Sequence, residues 1–148
     1  MKNGTSRWVL GHRVSPIETV GDYGMLHIET GPDVPGPPPH HHDDAAEFFY
    51  ILDGALEVFA NGEWKRIETG ESFNVPQGVV HTFRNPTDRA TTWLTAFSPR
   101  GFEKFFVAFG VPVEEEDAVQ RSVSEEMIGR VIAECADFGM ILAKQPQG

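Results

Sequence analysis

Short apolar segments with a two-residue period, separated by turn residues, run along the chain as far as Ser98. Alternation of this kind turns one side of each segment toward a core and is typical of β-strands. The segments lie at 7–14, 23–29, 48–52, 56–60, 63–68, 72–75, 79–85 and 91–97. Asn61-Gly62 joins two of them and is the strongest short signal for a β-hairpin. Eight short strands at this spacing predict a sandwich or a barrel.

After Pro99 the apolar residues recur at the period of a helix. The first helical face carries Phe102, Phe105, Phe106 and Phe109. Gly110 and Pro112 end this helix. A second helix is predicted to begin at a capping box formed by Ser122 and Glu125. Its apolar stripe comprises Met127, Ile128, Val131, Ile132, Cys135 and Phe138, and Gly139 follows it.

These patterns predict one domain over residues 1–148, a size sufficient to bury a core. The β-rich part spans about 7–98 and a helical extension spans about 99–139. The apolar helix faces would dock on the β-rich part as a cover. Residues 31–39 form a Pro- and Gly-rich connector that we expect to be extended.

The net charge indicates which partners the protein can bind, and the cysteine content indicates its cellular compartment. A net charge of −10 opposes binding to nucleic acid and to anionic membrane surfaces. A single cysteine, Cys135, excludes an intramolecular disulfide and predicts a packed thiol in a reducing cytoplasm. Residues 1–10 lack the apolar run of a signal peptide, and no stretch reaches the length of a membrane span. We expect a cytoplasmic protein with a small-molecule substrate or ligand.

The candidate chemistry lies in two stretches, 40–54 and 70–85. On a strand His40 and His42 share one face, whereas His41 points to the other and is not expected to bind a metal. Glu47 follows His42 at an odd separation, so a bulge or loop at 43–46 is needed to bring it to the same face. His81 opens a strand three residues after the turn glycine Gly78. A small barrel can bring these side chains to one point.

These stretches resemble the cupins, whose motifs run G-x5-H-x-H-x3-4-E-x6-G and G-x5-P-x-G-x2-H-x3-N. The second motif matches at Gly70, Pro76, Gly78, His81 and Asn85. The first matches at His40, His42, Glu47 and Gly54. It departs at its opening glycine, where Val34 stands and where Gly31 and Gly36 lie close by, as if the turn were shifted.

The resemblance implies a mainly β fold, a double-stranded β-helix of the jelly-roll type closed into a barrel, with the C-terminal helical cover. It implies that His40, His42, Glu47 and His81 bind a metal. Three imidazoles and a carboxylate suit a divalent Fe, Mn, Ni, Co, Cu or Zn ion, and ligand type does not choose among them. Four protein ligands leave one or two positions open for water, substrate or dioxygen.

Residues 98–110, which include Gly101-Phe102-Glu103, are similar to those of small bacterial quercetin-dioxygenase-like cupins. That likeness favours a metal-dependent dioxygenase acting on a small aromatic or enol-bearing compound. Glu47 would be its catalytic base, with a pKa raised by an apolar pocket. The alternatives are a non-catalytic metabolite- or sugar-binding cupin and a metal-dependent isomerase or lyase. Phe49, Ile51 and Phe83 share faces with the ligands and are either pocket wall or core.

The remaining expectations concern assembly and supporting residues. Small cupins commonly pair, so we expect a homodimer through the edge at 7–14, where Trp8, Val9 and Leu10 would need covering. His12 and His27 stand alone in other strands and are expected to be structural, and Asn85 is expected to bond the backbone at a turn.

Overall fold

The computed structural model describes residues 5–144, which fold as two antiparallel sheets with helices at the C-terminal side. The strands of the described part are β1 (Arg7–Val9), β2 (His12–Ile17), β3 (Gly24–Thr30), β4 (His40–His41), β5 (Ala46–Asp53), β6 (Ala55–Ala60), β7 (Glu63–Glu68), β8 (Ser72–Val75), β9 (His81–Arg84), β10 (Thr91–Ser98), β11 (Val111–Pro112) and β12 (Ile141–Leu142). One sheet has the order β11-β1-β2-β3-β10-β5-β8 and the other the order β12-β4-β9-β6-β7.

The two sheets face each other but are not closed into a barrel, which corrects the expected closed jelly roll. The chain passes repeatedly from one sheet to the other between strands, so no continuous ladder joins the two sheets within residues 5–144. Residues 42–45 separate β4 in the five-stranded sheet from β5 in the seven-stranded sheet. At the next crossing Gly54 adopts a φ of 107°, and a Cβ there would meet Thr91.

The local turn signals are mostly confirmed. Asn61 and Gly62 have φ values of 55° and 80° and join β6 to β7 as a two-residue hairpin. The segment 7–14 differs from its prediction, because Leu10-Gly11 forms a turn that divides it into β1 and β2. Both turn residues have positive φ values, which an uninterrupted strand does not allow.

The core lies between the sheets and is rich in aromatic side chains. Phe49, Trp93 and Phe97 are among its largest fully buried residues, and all three lie in the seven-stranded sheet. Alternate residues of β5 and β10 point into this core, as the two-residue period predicts. Ile51 is fully buried core and Cys135 is a buried thiol, as expected.

The helical extension is confirmed, with α1 at Glu103–Phe109, α2 at Ala118–Ser122, α3 at Glu125–Glu134 and a 3₁₀ turn at Cys135–Phe138. The predicted capping box is wrong by two residues. Ser124 caps α3 by accepting a hydrogen bond from the Met127 amide at 3.2 Å. Ser122 is buried instead, and its hydroxyl accepts the Gly11 amide at 3.1 Å.

The expected buried stripe on α3 is confirmed only in part. Val131 and Cys135 are buried and Met127 and Phe138 are half-buried against the core. Ile128 and Ile132 are exposed, at 41% and 55%. Helical spacing shows which residues share a face, but it does not show how much of that face a neighbouring element covers.

The edge expected at 7–14 is covered within the chain. β11 pairs with β1 through Arg7 opposite Pro112 and Trp8 opposite Val111. Val9 is buried, so the unpaired edge proposed as a reason for dimerisation does not exist, and the homodimer stays a prediction. No helix within residues 5–144 is both long and apolar enough to cross a membrane. The signal-peptide expectation falls partly on residues 1–4, outside the described chain.

Candidate metal centre

Three buried histidines meet between the two sheets. His40 lies in β4 and faces His81 at the start of β9, because these residues are direct partners in the antiparallel pair. His42 follows β4 and points to the same side, while His41 is turned away and contacts Asp43. His40, His42 and His81 each offer a ligand nitrogen, and these atoms lie within 4.8 Å of one another. The face prediction for residues 40–42 is confirmed.

Backbone carbonyls determine the tautomers of all three imidazoles. Each ring donates its Nδ1–H: His40 to Pro38 at 2.8 Å, His42 to Gly139 at 3.0 Å, and His81 to Val79 at 2.9 Å. A carbonyl oxygen can only accept, so Nδ1 carries the proton and Nε2 is the nitrogen left for the centre. The buried Nε2 of His42 has no hydrogen-bond partner. A divalent cation fits this donor set, because oriented neutral imidazoles are metal ligands.

Glu47 brings a carboxylate to the same point from the opposite sheet. Residues 43–45 lie between the strands, and β5 then begins at Ala46, so Glu47 points inward with Phe49, as predicted. Its Oε1 lies 3.1 Å from His81 Nε2 and 3.4 Å from His42 Nε2. Its Oε2 accepts a hydrogen bond from the Thr95 hydroxyl at 2.9 Å. Glu47 therefore lies within reach of an ion held by the three imidazoles.

In the metal-free site the pKa values of His40 and His81 shift in opposite directions. Burial, reinforced by the neighbouring His81 and His42, lowers the pKa of His40 to about 3. Burial also acts to lower the pKa of His81, but the hydrogen bond to Glu47 and its charge outweigh it and raise the value. The Glu47 carboxylate therefore favours a proton on His81 Nε2, and a bound metal would replace that proton.

The pKa of Glu47 shifts in the direction opposite to the one expected from an apolar pocket. Burial, the largest influence, does raise it, but the interactions with His42 and His81 together lower it by more. The carboxyl pKa therefore lies below its usual range, and Glu47 is ionised at neutral pH. The expectation of a raised value is wrong because it considered desolvation without the adjacent imidazoles.

A cavity of about 60 Å³ adjoins these groups, and we refer to it as the inner cavity. Its aromatic wall includes Phe49, Phe83, Trp93, Phe102, Phe105 and Phe106. The ring of Phe102 lies 4.3 Å from that of His42, centroid to centroid. No lysine or arginine lines the inner cavity among the described residues. Phe49 and Phe83 are thus pocket wall, whereas Ile51 is not part of the lining.

His12 also borders the inner cavity, but its ring is fully engaged. Its Nε2–H donates to the Pro35 carbonyl at 3.2 Å, and its Nδ1 accepts from the Thr30 hydroxyl at 3.0 Å. Thr30 in turn accepts the indole N–H of Trp93 at 3.0 Å. Burial lowers the pKa of His12 to about 4, against the opposing effect of the Pro35 hydrogen bond. These contacts confirm the structural role expected of His12.

Two contributors to the site were missed in the sequence. Thr95 is a fully buried polar residue in β10, between the apolar Trp93 and Phe97 on the inward face. A threonine in an otherwise apolar inward alternation is a usable signal for a buried hydrogen bond. Gly139 was identified only as the end of a helix, and its carbonyl gives no pattern in the sequence. Asn85, by contrast, bonds the backbone of Thr30 and Arg89, as expected.

The replacement Thr95→Val should weaken metal binding about tenfold, since groups that orient metal ligands typically contribute 10- to 100-fold to affinity. The valine keeps the shape of the side chain and removes the hydrogen bond that orients Glu47. Competition titration of Co²⁺ or Zn²⁺ against a chelator measures the effect. Thr95→Ser should restore affinity, and Thr92→Val, on the outer side of β10, should not change it. Equal affinities for Thr95→Val and the wild type would show that Glu47 needs no such support.

Comparisons with known proteins agree with this architecture. Residues 25–97 match the family Cupin_2, described as a cupin domain. An uncharacterized protein of Aquifex aeolicus is 37% identical over 51 residues, which are 34% of this chain and 41% of that protein. The chain thus aligns with less than half the length of this relative.

Several solved structures share the fold. KdgF from Halomonas sp. is 24% identical over 61% of this chain and 80% of its own, with a TM-score of 0.54. A sugar phosphate isomerase of the cupin superfamily from Silicibacter pomeroyi is 21% identical over 62% and 61%, with a TM-score of 0.56. An RmlC-like cupin from Shewanella frigidimarina is 22% identical over 70% and 88%, with a TM-score of 0.57. Likeness at these identities extends to the fold and not to the reaction.

Proposed function

Residues 25–97 match the cupin-domain family, and on that premise we propose that this chain is a cupin and a metal-dependent dioxygenase of the quercetinase-like kind. Its substrate is a small aromatic or enol-bearing compound. One observation carries the proposal: three oriented Nε2 atoms and an ionised carboxylate converge beside an aromatic cavity without a cationic side chain. Sugar phosphates call for lysine or arginine at the phosphate, so this lining favours an uncharged or enolic compound.

His40, His42 and His81 would hold a divalent first-row ion, with Glu47 as the fourth ligand. The bound ion supplies Lewis acidity toward an enol oxygen and redox chemistry with dioxygen. The three Nδ1 hydrogen bonds keep the imidazoles in place before the ion arrives. This preorganisation lowers the cost of assembling the ligand set.

Glu47 is the group that accepts the substrate proton. The carboxylate is charged at neutral pH, as a proton acceptor must be, although its depressed pKa in the metal-free site makes it a weak base. Thr95 holds Oε2, so Oε1 is the oxygen that faces the imidazoles and the substrate. Because the pKa of Glu47 is low, the carboxyl group does not retain the proton but passes it on to a stronger base.

The aromatic wall contacts the planar head of the substrate and excludes water. Phe49, Phe83 and Trp93 form one cluster of contacting rings, with centroids 4.9–6.0 Å apart. Phe102 and Phe105 stack on each other from the helical extension at 5.1 Å. A planar apolar compound gains favourable ring contacts in such a site. Exclusion of water also protects reactive oxygen chemistry from side reactions.

Elemental analysis combined with oxygen uptake tests the proposal. The wild type should hold about one equivalent of Fe, Mn, Ni, Co or Cu, whereas His81→Ala should lose at least about 100-fold in metal affinity. His41→Ala is the matched control, because His41 lies beside the site and faces away from it. The metal-loaded protein should consume oxygen with a flavonol, a catechol or a β-diketone.

Two results would overturn the oxygenase reading. Conversion of a substrate under strictly anaerobic conditions would indicate an isomerase or lyase that uses the same ligands. Stoichiometric binding of these compounds without oxygen consumption or any product would indicate a metabolite-binding module.

A further inference from the structure

A second concavity, with a volume of about 490 Å³, adjoins the helical extension, and we call it the outer groove. It runs between α3 and the connector 33–38. Its exposed apolar side chains include Val123 at 45% and Ile132 at 55%. Asp33 is the one charged residue of its lining in the described chain. Exposed isoleucine and valine grouped in a concave surface indicate a binding site.

The outer groove and the inner cavity are separated by a single layer of side chains. Leu10, Pro37 and Met140 line both spaces. Met140 is an unbranched residue with three rotatable side-chain bonds, so it can move aside without a change in the backbone. It directly follows Gly139, whose carbonyl holds His42. Movement of the Met140 side chain would thus join the outer groove to the inner cavity beside the metal centre.

The volumes assign different parts of a ligand to the two spaces. About 60 Å³ accommodates roughly four to six water molecules at about 10–15 Å³ each, or a handful of ligand atoms. Sites for whole small molecules span about 300–1,000 Å³, which matches the outer groove and not the inner cavity. The inner cavity alone can therefore take only the reacting head of a substrate.

We propose that the substrate is amphipathic, with an enol-bearing head at the metal centre and an apolar tail that passes Leu10 and Met140 into the outer groove. The position of the head rests on the proposed function, whereas the position of the tail rests on the apolar lining of the outer groove and on the residues that it shares with the inner cavity. The apolar lining excludes a sugar or phosphate as the outer part. The tail has the chemistry of an alkyl chain.

A series of 3-alkyl-2,4-pentanediones tests this proposal, with a shared chelating head and methyl, butyl or octyl tails. Calorimetric titration of the metal-loaded protein should give at least tenfold tighter binding for octyl than for methyl. Ile132→Ser, at the outer groove, should reduce this ratio at least threefold. Val107→Ser is the matched control, because Val107 is 56% exposed on α1 and lines neither space, so the ratio should be unchanged.

The proposal is overturned if octyl binds no better than methyl, or if Ile132→Ser leaves the ratio unchanged. A dimer that Ile132→Ser splits, with the ratio unaffected, would identify the outer groove as a subunit interface. If no diketone binds at all, the metal centre does not bind an enol-bearing head, and the proposed function is wrong. Binding of an alkyl chain in the outer groove is then tested separately, by measuring whether 1-octanol displaces the dye Nile red from the metal-free protein. Displacement that Ile132→Ser abolishes supports the tail site, and its absence from the wild type excludes it.

Discussion

Phe49→Ala should lower the free energy of unfolding by about 3–5 kcal/mol, the usual cost of deleting a buried aromatic ring. Phe49 is fully buried and lies between the two sheets, with its ring 5.0 Å from Trp93, 6.0 Å from Phe83 and 6.4 Å from His81, centroid to centroid. Its loss leaves a void directly against the metal centre, where the surrounding strands cannot collapse without displacing a ligand. Urea denaturation of the metal-free protein measures the change.

Phe48→Ala is the matched control for this loss. Phe48 is the preceding residue on β5, points to the other side of the sheet and is 36% exposed. Its removal should cost less than about 1 kcal/mol, as surface substitutions usually do. Equal costs for the two variants would mean that the space left by Phe49 refills, and that its packing contributes little to the core.

Acid should destabilise the wild type more strongly than His12→Gln. Burial holds the pKa of His12 at about 4 in the folded protein, against 6.5 for an ordinary histidine. Above pH 6.5 neither state binds the proton. As pH falls from 6.5 to 4, the unfolded chain takes up a proton that the folded chain refuses, so the free energy of unfolding decreases by about 3 kcal/mol. Below pH 4 both states are protonated and the loss is complete.

Glutamine offers one donor toward Pro35 and one acceptor toward Thr30, so His12→Gln keeps the contacts and removes only the titration. His40, with a pKa of about 3, adds a loss of the same sign in both proteins and cancels in the comparison. Stability measured at several pH values from 7 to 4 should fall less steeply for the variant. Parallel curves for the two proteins would show that His12 titrates normally in the folded state.

The parts of the fold that could be predicted are those that local residue patterns encode. The hairpin at Asn61-Gly62 follows from two positive φ values that few other residue pairs accept. The convergence of His40 and His42 follows from the two-residue period of a strand. Glu47 needed one further assumption, an interruption at 43–46, and the small and acidic residues there indicated it.

The parts that could not be predicted depend on contacts between residues far apart in the chain. Thr95 contacts Glu47 across a separation of 48 residues, and the Gly139 carbonyl contacts His42 across 97. No local pattern encodes such pairs. The exposed residues of α3 could not be predicted for the same reason, because the exposure of Ile128 and Ile132 depends on which distant element covers them. The closed barrel was inferred from the resemblance to the cupins, whereas pairing between the two sheets depends on contacts between distant strands, and these do not form in the described chain.

The hydrogen bond from His42 to the Gly139 carbonyl has a consequence for the order of events during synthesis. A ribosome releases residues 40–42 and 81 long before residue 139. During that interval β12 has not paired with β4, and His42 lacks the acceptor that orients its ring. The nascent chain then presents all four proposed ligands, but the ring of His42 is held in place only after the C-terminal segment docks. For the proposed metal site, the last orienting group to emerge is thus the Gly139 carbonyl.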